Sequence, residues 1–296
     1  MKYVIISLII IFCVLFLLNL ADLNRYVVRS VVIYDSKVNK RCKLCFLSDI
    51  HNFALTPKFY EDIKEYAPDV ILIGGDLINA NPKCSNQYAY DALGKLSKIA
   101  PTYLAMGNHE YRSGIYRDVY GDLYDVLSDC CHKNNVKLMV NDKFEIEETG
   151  IVVSSIQIDR EYYKRFKKQN MPADYVRTLI EEPDLNKFNV LLAHNPDYFE
   201  RYNEEGRDLI LSGHIHGGLI RLPILHGVAH PGFKFFPKFS GGVYSDKGKF
   251  IPYADSYVSN KNKVIRLIVS CGIGFHTLPL RLFNPGELIF VTLENK

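Results

Sequence analysis

Cys45-Phe-Leu-Ser-Asp49-Ile-His51 is a short apolar run that ends in an aspartate and a histidine. It is too short for a helix and reads as a buried strand. Four further stretches repeat the arrangement: Val70-Ile-Leu-Ile-Gly-Gly-Asp76, Tyr103-Leu-Ala-Met-Gly-Asn108-His109-Glu110, Val190-Leu-Leu-Ala-His194-Asn195 and Leu209-Ile-Leu-Ser-Gly213-His214-Ile-His216. Open α/β sheets bind ligands beyond the carboxyl ends of their strands. The five runs therefore predict an α/β protein in which two aspartates, one asparagine and five of the nine histidines meet at one edge of the core.

Outward from these runs, strand and helix patterns alternate. Strands are expected at 31–34 and 43–48. Thr56-Pro57 then gives an N-cap with proline in the first turn, and the helix ends at residue 66 or 67, before Pro68. A strand at 70–73 and a helix over 88–99 follow, the helix closed by Pro101. Val119, Leu123, Val126 and Leu127 carry helical spacing through 115–132. Strands at 136–140, 144–147 and 151–156 precede a helix at 173–181. Strands at 190–193 and 209–212 flank a helix starting near Pro196, and strands at 264–270 and 288–293 close the sheets. Alternation early and crowded strands later predict two packed sheets flanked by helices. No linker or repeat interrupts residues 30–296, which read as one domain.

The amino terminus differs in kind. Residues 3–20 are apolar except for Ser7 and Asn19, and a run of about 18 residues is enough to span a bilayer. Residues 1–22 read as an uncleaved transmembrane anchor, with a cleaved signal peptide as the alternative. Arg25, Arg29, Lys37 and Lys40 follow the span, so the positive-inside rule keeps the remainder in the cytoplasm. Seven cysteines without regular spacing form no disulfide framework and fit a reducing compartment. Cys42-x-x-Cys45 lacks the second pair that a zinc site needs. A net charge of +3 does not mark a nucleic-acid-binding face.

Asp49, His51, Asp76, Asn108, His194, His214 and His216 offer seven ligand groups. One bridging carboxylate and three further ligands per ion use all seven. Two ions about 3.5–4 Å apart clamp an in-line attack at phosphorus by an activated water. Two divalent ions against two carboxylates leave the site net positive, which favours a phosphate. Mixed imidazole, carboxylate and amide donors suit Mn, Fe or Zn better than Ca or Mg, with Mn favoured. His109, next to a ligand, is placed to contact a phosphoryl oxygen or protonate the leaving group. Singly, each residue has a plainer reading: Asp49 and Asn108 as turn residues, His194 as a packed core histidine.

At these residues the chain resembles the calcineurin-like metallophosphoesterase superfamily. The motifs are Asp49-x-His51, Gly75-Asp76, Gly107-Asn108-His109-Glu110, His194 and Gly213-His214-x-His216. The resemblance implies a four-layer α/β/β/α sandwich. It also implies one metal held by Asp49, His51, Asp76 and His216, another by Asp76, Asn108, His194 and His214, and His109 as the catalytic histidine. Gly217-Gly218-Leu-Ile-Arg221-Leu-Pro223, Ser270-Cys-Gly-Ile-Gly274, Leu278-Pro279-Leu-Arg281 and Asn284-Pro-Gly-Glu287 resemble a membrane-associated bacterial branch. That branch includes exported phosphoesterases and enzymes that cleave the pyrophosphate of UDP-2,3-diacylglucosamine in lipid A synthesis. Where the family's protein phosphatases carry an aspartate that pairs with the catalytic histidine, this chain has Asn79, which cannot raise the histidine's pKa in that way.

The expected activity is dimetal-dependent hydrolysis of a phosphoester or pyrophosphate in a membrane-associated substrate, a phosphorylated lipid among the candidates. A general phosphodiesterase, a secreted phosphate-scavenging enzyme and a non-catalytic, membrane-tethered metal protein are the alternatives. Three flanking segments bear on the substrate. Residues 160–168 mix basic and aromatic side chains, as a solvated face or a lipid or phosphate contact. The phenylalanines of 230–239 and the apolar loop 275–283 either line an acyl groove or pack the core. His226, His230 and His276 have no ligand spacing.

Overall fold

Strands whose side chains are apolar on both faces must be covered on both faces, and that requirement builds the architecture. The computed structural model describes residues 1–164, 168–222, 224–229, 235–252, 256–259, 264–275 and 278–296. The chain opens with α1 (Lys2–Leu23), β1 (Tyr26–Tyr34), β2 (Cys42–Leu47), α2 (Pro57–Tyr66), β3 (Val70–Ile73), α3 (Gln87–Leu96) and β4 (Thr102–Ala105). Next come α4 (Asn108–Ile115), α5 (Arg117–Tyr120), α6 (Leu123–Lys133), β5 (Val136–Met139), β6 (Asp142–Ile146) and β7 (Ile151–Ile156). Then follow α7 (Tyr175–Leu179), β8 (Phe188–Ala193), α8 (Phe199–Glu204), β9 (Leu209–Ser212), β10 (Arg221–Leu222) and β11 (His226–Gly227). Last are β12 (Gly242–Ser245), β13 (Phe250–Ile251), β14 (Ser256–Ser259), β15 (Ile265–Val269) and β16 (Gly286–Glu294).

Two seven-stranded sheets face each other, in the orders β14-β1-β16-β2-β3-β4-β5 and β13-β12-β15-β9-β8-β7-β6. Strands β2 to β5 run parallel, as do β7, β8, β9 and β15. The period of two along each strand divides the core. On β2, Leu44 and Phe46 enter the layer between the sheets, where Val190, Leu192 and Leu211 meet them. Cys45 and Leu47 face outward onto α2 and α3 through Phe59, Ile63, Ala89 and Leu93. On the other sheet, Leu191 and Ile210 pack against Val176, Phe199 and Tyr202 of α7 and α8. The result is the expected four-layer α/β/β/α sandwich. Cys42 and Cys45 lie in different cores, so this C-x-x-C is not a chelating pair.

α1 is long and apolar enough to cross a membrane, and none of its apolar window is buried against the rest of the molecule. The N-cap reading at Thr56 holds: its Oγ1 accepts the Phe59 N–H. Three expectations need correction. The helix over 115–132 is two helices, α5 and α6, because Gly121 takes φ 59°, ψ −131°, a region open essentially to glycine alone. α4 was not expected, since it begins on the Asn108 motif rather than after it. The first strand starts at Tyr26, five residues early, and pairs in parallel with both β14 and β16. The two-residue strands β10, β11 and β13 carry too few residues to show a period.

Candidate metal centre

The strand order explains why distant residues meet. β2, β3 and β4 are parallel neighbours in one sheet, and β8 and β9 are parallel neighbours in the other. Their carboxyl ends lie along one edge of the sandwich, with Asp49, Asp76, Asn108, His194 and His214 one to three residues past them. The turns are unusual. Asp49, His51, Asp76, His214 and His216 all have φ between 46° and 70°, a conformation that costs non-glycine residues energy and concentrates at functional sites. Gly213 has no room for a side chain: a Cβ there would lie 1.9 Å from Ser48 Oγ and 2.2 Å from Asp49 Oδ2.

Each carboxylate accepts backbone or hydroxyl hydrogen bonds and turns one oxygen to imidazoles. Asp49 Oδ2 accepts from Ser48 Oγ at 2.7 Å, and both its oxygens accept the His214 N–H at 3.0 Å. Asp49 Oδ1 lies 3.3 Å from His216 Nε2. Asp76 Oδ1 accepts the His109 N–H at 2.8 Å, while Oδ2 lies 3.2 Å from His194 Nε2 and 3.6 Å from His51 Nε2. Three overlapping sets form in which the possible ligand atoms all lie within 4.8 Å of one another: Asp49–His51–His216, His51–Asp76–His109 and Asp76–His194–His214. Asp76 and His51 each belong to two sets, and of the two only the carboxylate has two oxygens with which to bridge.

The donor chemistry fits cations. His194 Nδ1 donates to the Gly74 carbonyl at 2.7 Å, which turns the Nε2 lone pair of a neutral ring toward the carboxylates. Lone pair facing carboxylate oxygen is repulsive unless a proton or a cation sits between. Burial works against a charge on His194, yet Asp76 and Asp49 push its pKa up to about 10. Burial pushes Asp49 up to about 6, with His194 opposing. Asp76 is ionised despite its burial because His194, His109 and His51 hold it well below the usual carboxylate range. Asn108 Oδ1 at the head of α4 is buried with no hydrogen-bond partner, and such an acceptor is uncommon without a ligand. The clustered His and Asp side chains, with this amide, match the donor set of a two-ion site.

Sequence reasoning missed three supports. Glu110, fully buried, accepts backbone N–H bonds from Asp76 at 2.8 Å, Gly107 at 2.9 Å and Ile78 at 3.1 Å. It ties the turn after β3 to the turn after β4. Burial, with Asp76 adding to it, pushes its pKa up to about 7. The Ala80 N–H, next along the chain from Asn79, donates to His109 Nδ1 at 2.8 Å. A neutral His109 therefore carries its proton on Nε2. Tyr163 lies edge-on to the His214 ring, with centroids 5.3 Å apart. Glu110 stood in a quoted motif and Tyr163 in the basic and aromatic segment 160–168, while the Ala80 N–H offered no signal.

The basic and aromatic segment 160–168 is divided: Tyr162 is buried with α7, Arg160 stacks on Tyr116, and 165–167 lie outside the described residues. In 230–239, Phe239 packs the core while Phe235 and Phe236 are exposed; His230, 231–234, His276 and residue 277 lie outside the described residues. His226 packs on Phe250, with centroids 4.0 Å apart.

A sandwich of two sheets with paired carboxylates and imidazoles at its strand ends defines a class of metal-binding α/β proteins. A model of the calcineurin-like phosphoesterase family matches residues 42–218, and the chain belongs to that family. A metallophosphoesterase of Campylobacter jejuni is 30% identical over 280 residues, covering 91% of this chain and 63% of that one. The phosphodiesterase YaeI of Escherichia coli is 28% identical over 191 residues, covering 62% of this chain and 63% of that one. The chain spans 63% to 65% of the length of the Campylobacter and Helicobacter relatives. The structure of a phosphopantetheinyl hydrolase from Mycobacterium tuberculosis aligns with TM-score 0.41 and 15% identity, over 60% of this chain and 84% of that one.

Proposed function

We propose that this protein is a dimetal phosphoesterase acting on a phosphoester or pyrophosphate bond in a membrane-associated substrate. Asp49, His51, Asp76 and His216 would hold one ion, and Asp76, Asn108, His194 and His214 the other, with manganese the first ion to test and iron and zinc next. The observation that carries the reading is the meeting of six of these side chains, with His109, in three overlapping groups, together with an Asn108 Oδ1 that is buried without a hydrogen-bond partner. When bound, two such ions neutralise phosphate charge and acidify water.

The chain's own residues supply the rest. Glu110 and the Gly74 carbonyl orient Asp76 and His194. His109, whose Nδ1 is occupied by the Ala80 N–H, presents Nε2–H as a hydrogen-bond donor to a phosphoryl or leaving-group oxygen. Asn79 need not supply an aspartate's role for that, because a neutral donor requires no carboxylate partner. Tyr163 beside His214 walls one side of the centre.

Residues 1–22 act as the anchor and 30–296 as the metallophosphoesterase domain, on the cytoplasmic face by the charge that follows α1. UDP-2,3-diacylglucosamine is the first specific substrate to try. The Escherichia coli relative, named a phosphodiesterase, favours a second reading: a phosphodiester of another class with the same chemistry. No nucleic acid is expected as partner.

The test uses the full chain in detergent with Mn²⁺, offered bis(p-nitrophenyl) phosphate, a phosphomonoester and the UDP-lipid. Turnover is expected on at least one. His109→Ala should lower it by roughly 10²–10⁴ with metal content unchanged. Turnover that survives loss of both His109 and Asp76 refutes the proposal, and bound metal without turnover on any phosphoester returns the non-catalytic reading.

A further inference from the structure

Four short segments outside the two large sheets lie edge to edge beside the centre. The Leu282 N–H donates to Leu219 O and the Arg221 N–H to Leu282 O. The Val228 N–H donates to Ile220 O, and the Phe236 N–H to Val228 O. The small ladder thus runs 282–220–228–236, with β10 and β11 in its middle. On and beside it sit Ile224, Leu225, Phe235, Phe236, Leu278 and Phe283, each between 49% and 88% exposed. Exposed apolar side chains are normal singly, but six on one hydrogen-bonded unit mark an interaction surface.

The same unit is bound to the end of α1. Asn19 Nδ2 donates to Pro279 O at 3.1 Å, and the Arg281 N–H donates to Asn19 Oδ1 at 2.8 Å. The Asn284 N–H donates to Asp22 Oδ2 at 2.9 Å. Asp22, Arg281 and Asn284 are buried, so the Asn284–Asp22 bond is shielded from water, while the Asn19–Pro279 bond is exposed. On its other side the unit reaches the centre: Asn284 Nδ2 donates to the His216 carbonyl at 2.7 Å. Gly217, at φ 67°, leaves the room for it, since a Cβ there would lie 2.0 Å from Asn284 Oδ1.

We propose that this apolar edge dips into the headgroup–acyl boundary of the bilayer leaflet at the carboxyl end of α1. The His216 turn would then sit at the membrane surface. The occupant is lipid because the edge is continuous, through Asn19 and Asp22, with a helix whose own apolar surface is uncovered. Phenylalanine and aliphatic tips beside an anchor are the composition of interfacial segments that lie 5–10 Å deep. This rests on the membrane reading of α1, and it deepens the proposed function by making the centre open toward phosphoesters held in a bilayer.

The chain contains no tryptophan, so single introduced tryptophans report position without background. Ile224→Trp, Phe236→Trp and Phe283→Trp are compared with Leu15→Trp in α1. The remaining comparison is Leu185→Trp, exposed at the end of β8 away from His194. The full chain is reconstituted in phosphatidylcholine–phosphatidylglycerol vesicles with and without 6,7-dibromo phosphatidylcholine. At the three edge positions, brominated lipid should reduce emission at least twofold and aqueous iodide should do little; Leu185→Trp should show the reverse. Edge tryptophans quenched by iodide while Leu15→Trp is quenched by lipid would overturn the proposal, placing the edge in water beside an inserted anchor. Lack of lipid quenching at Leu15→Trp overturns it as well. The readout needs neither ions nor turnover, so its failure is separate from failure of the phosphoesterase reading.

Discussion

Replacing Glu110 separates the part hydrogen bonds play in holding the centre from the part played by charge. Its carboxylate accepts three buried backbone N–H bonds. Glu110→Ala orphans all three donors, at about 1–3 kcal/mol each. One effect opposes this. A carboxylate pushed up to about 7 by burial and by Asp76 is disfavoured when ionised, and removing it at pH 8 returns on the order of 3 kcal/mol. With donor losses in the middle of their range, the net is a destabilisation of roughly 3 kcal/mol, or a melting point lower by about 6–12 °C for a domain of this size. Glu110→Gln keeps an oxygen for the Asp76 and Gly107 donors, loses the Ile78 bond and removes the charge. It should stay within about 1 kcal/mol of the parent. Thermal unfolding of the full chain in detergent micelles at pH 8, with chelator present, excludes any contribution from ion loss. Equal damage from Gln and Ala would show that charge matters more than the bonds, and an Ala variant within about 1 kcal/mol of the parent would refute the reasoning.

Gly213→Ala places a methyl group against Ser48 Oγ and Asp49 Oδ2. Overpacking there costs about 1–3 kcal/mol and displaces Asp49, so Mn²⁺ affinity measured by titration should fall roughly tenfold; unchanged affinity would refute the close packing. Removing divalent ions should end turnover and lower the melting point, and restoring Mn²⁺ to a hundred times its Kd should return about 2.7 kcal/mol of stability. Identical melting with and without Mn²⁺ argues against the site. Thr56→Ala loses the cap bond to Phe59 and should cost about 0.5–1 kcal/mol with Mn²⁺ affinity intact; a weakened affinity would mean that α2 bears on the centre.

Much of the centre was legible because its side chains follow directly on five strands, Asp49 and His51 after β2 and His214 and His216 after β9. An apolar run that stops at Asp, Asn or His is a local signal, and five of them point to an α/β core and to the cluster that Asp49, His51, Asp76, His109, His194, His214 and His216 form. The two-residue strands β10, β11 and β13 were not legible, because two residues cannot display a period, and the four-residue β12 and β14 lack the continuous apolar run that marked β3 and β9. The break at Gly121 was hidden inside an apolar spacing that continued across it.

What only the folded chain decided is who stands behind those side chains. Strand order puts β16 between β1 and β2, and this brings the Asn284 loop, from near the carboxyl end, onto the His216 turn and the end of α1. The Ala80 N–H on His109, the three donors on Glu110 and the ring of Tyr163 likewise come from backbone geometry and from neighbours remote in the chain. Side-chain periodicity reports which face of an element is buried. It is silent on which other element covers that face, because a buried leucine packs equally well against many partners, whereas a hydrogen bond exists only at one distance and one angle.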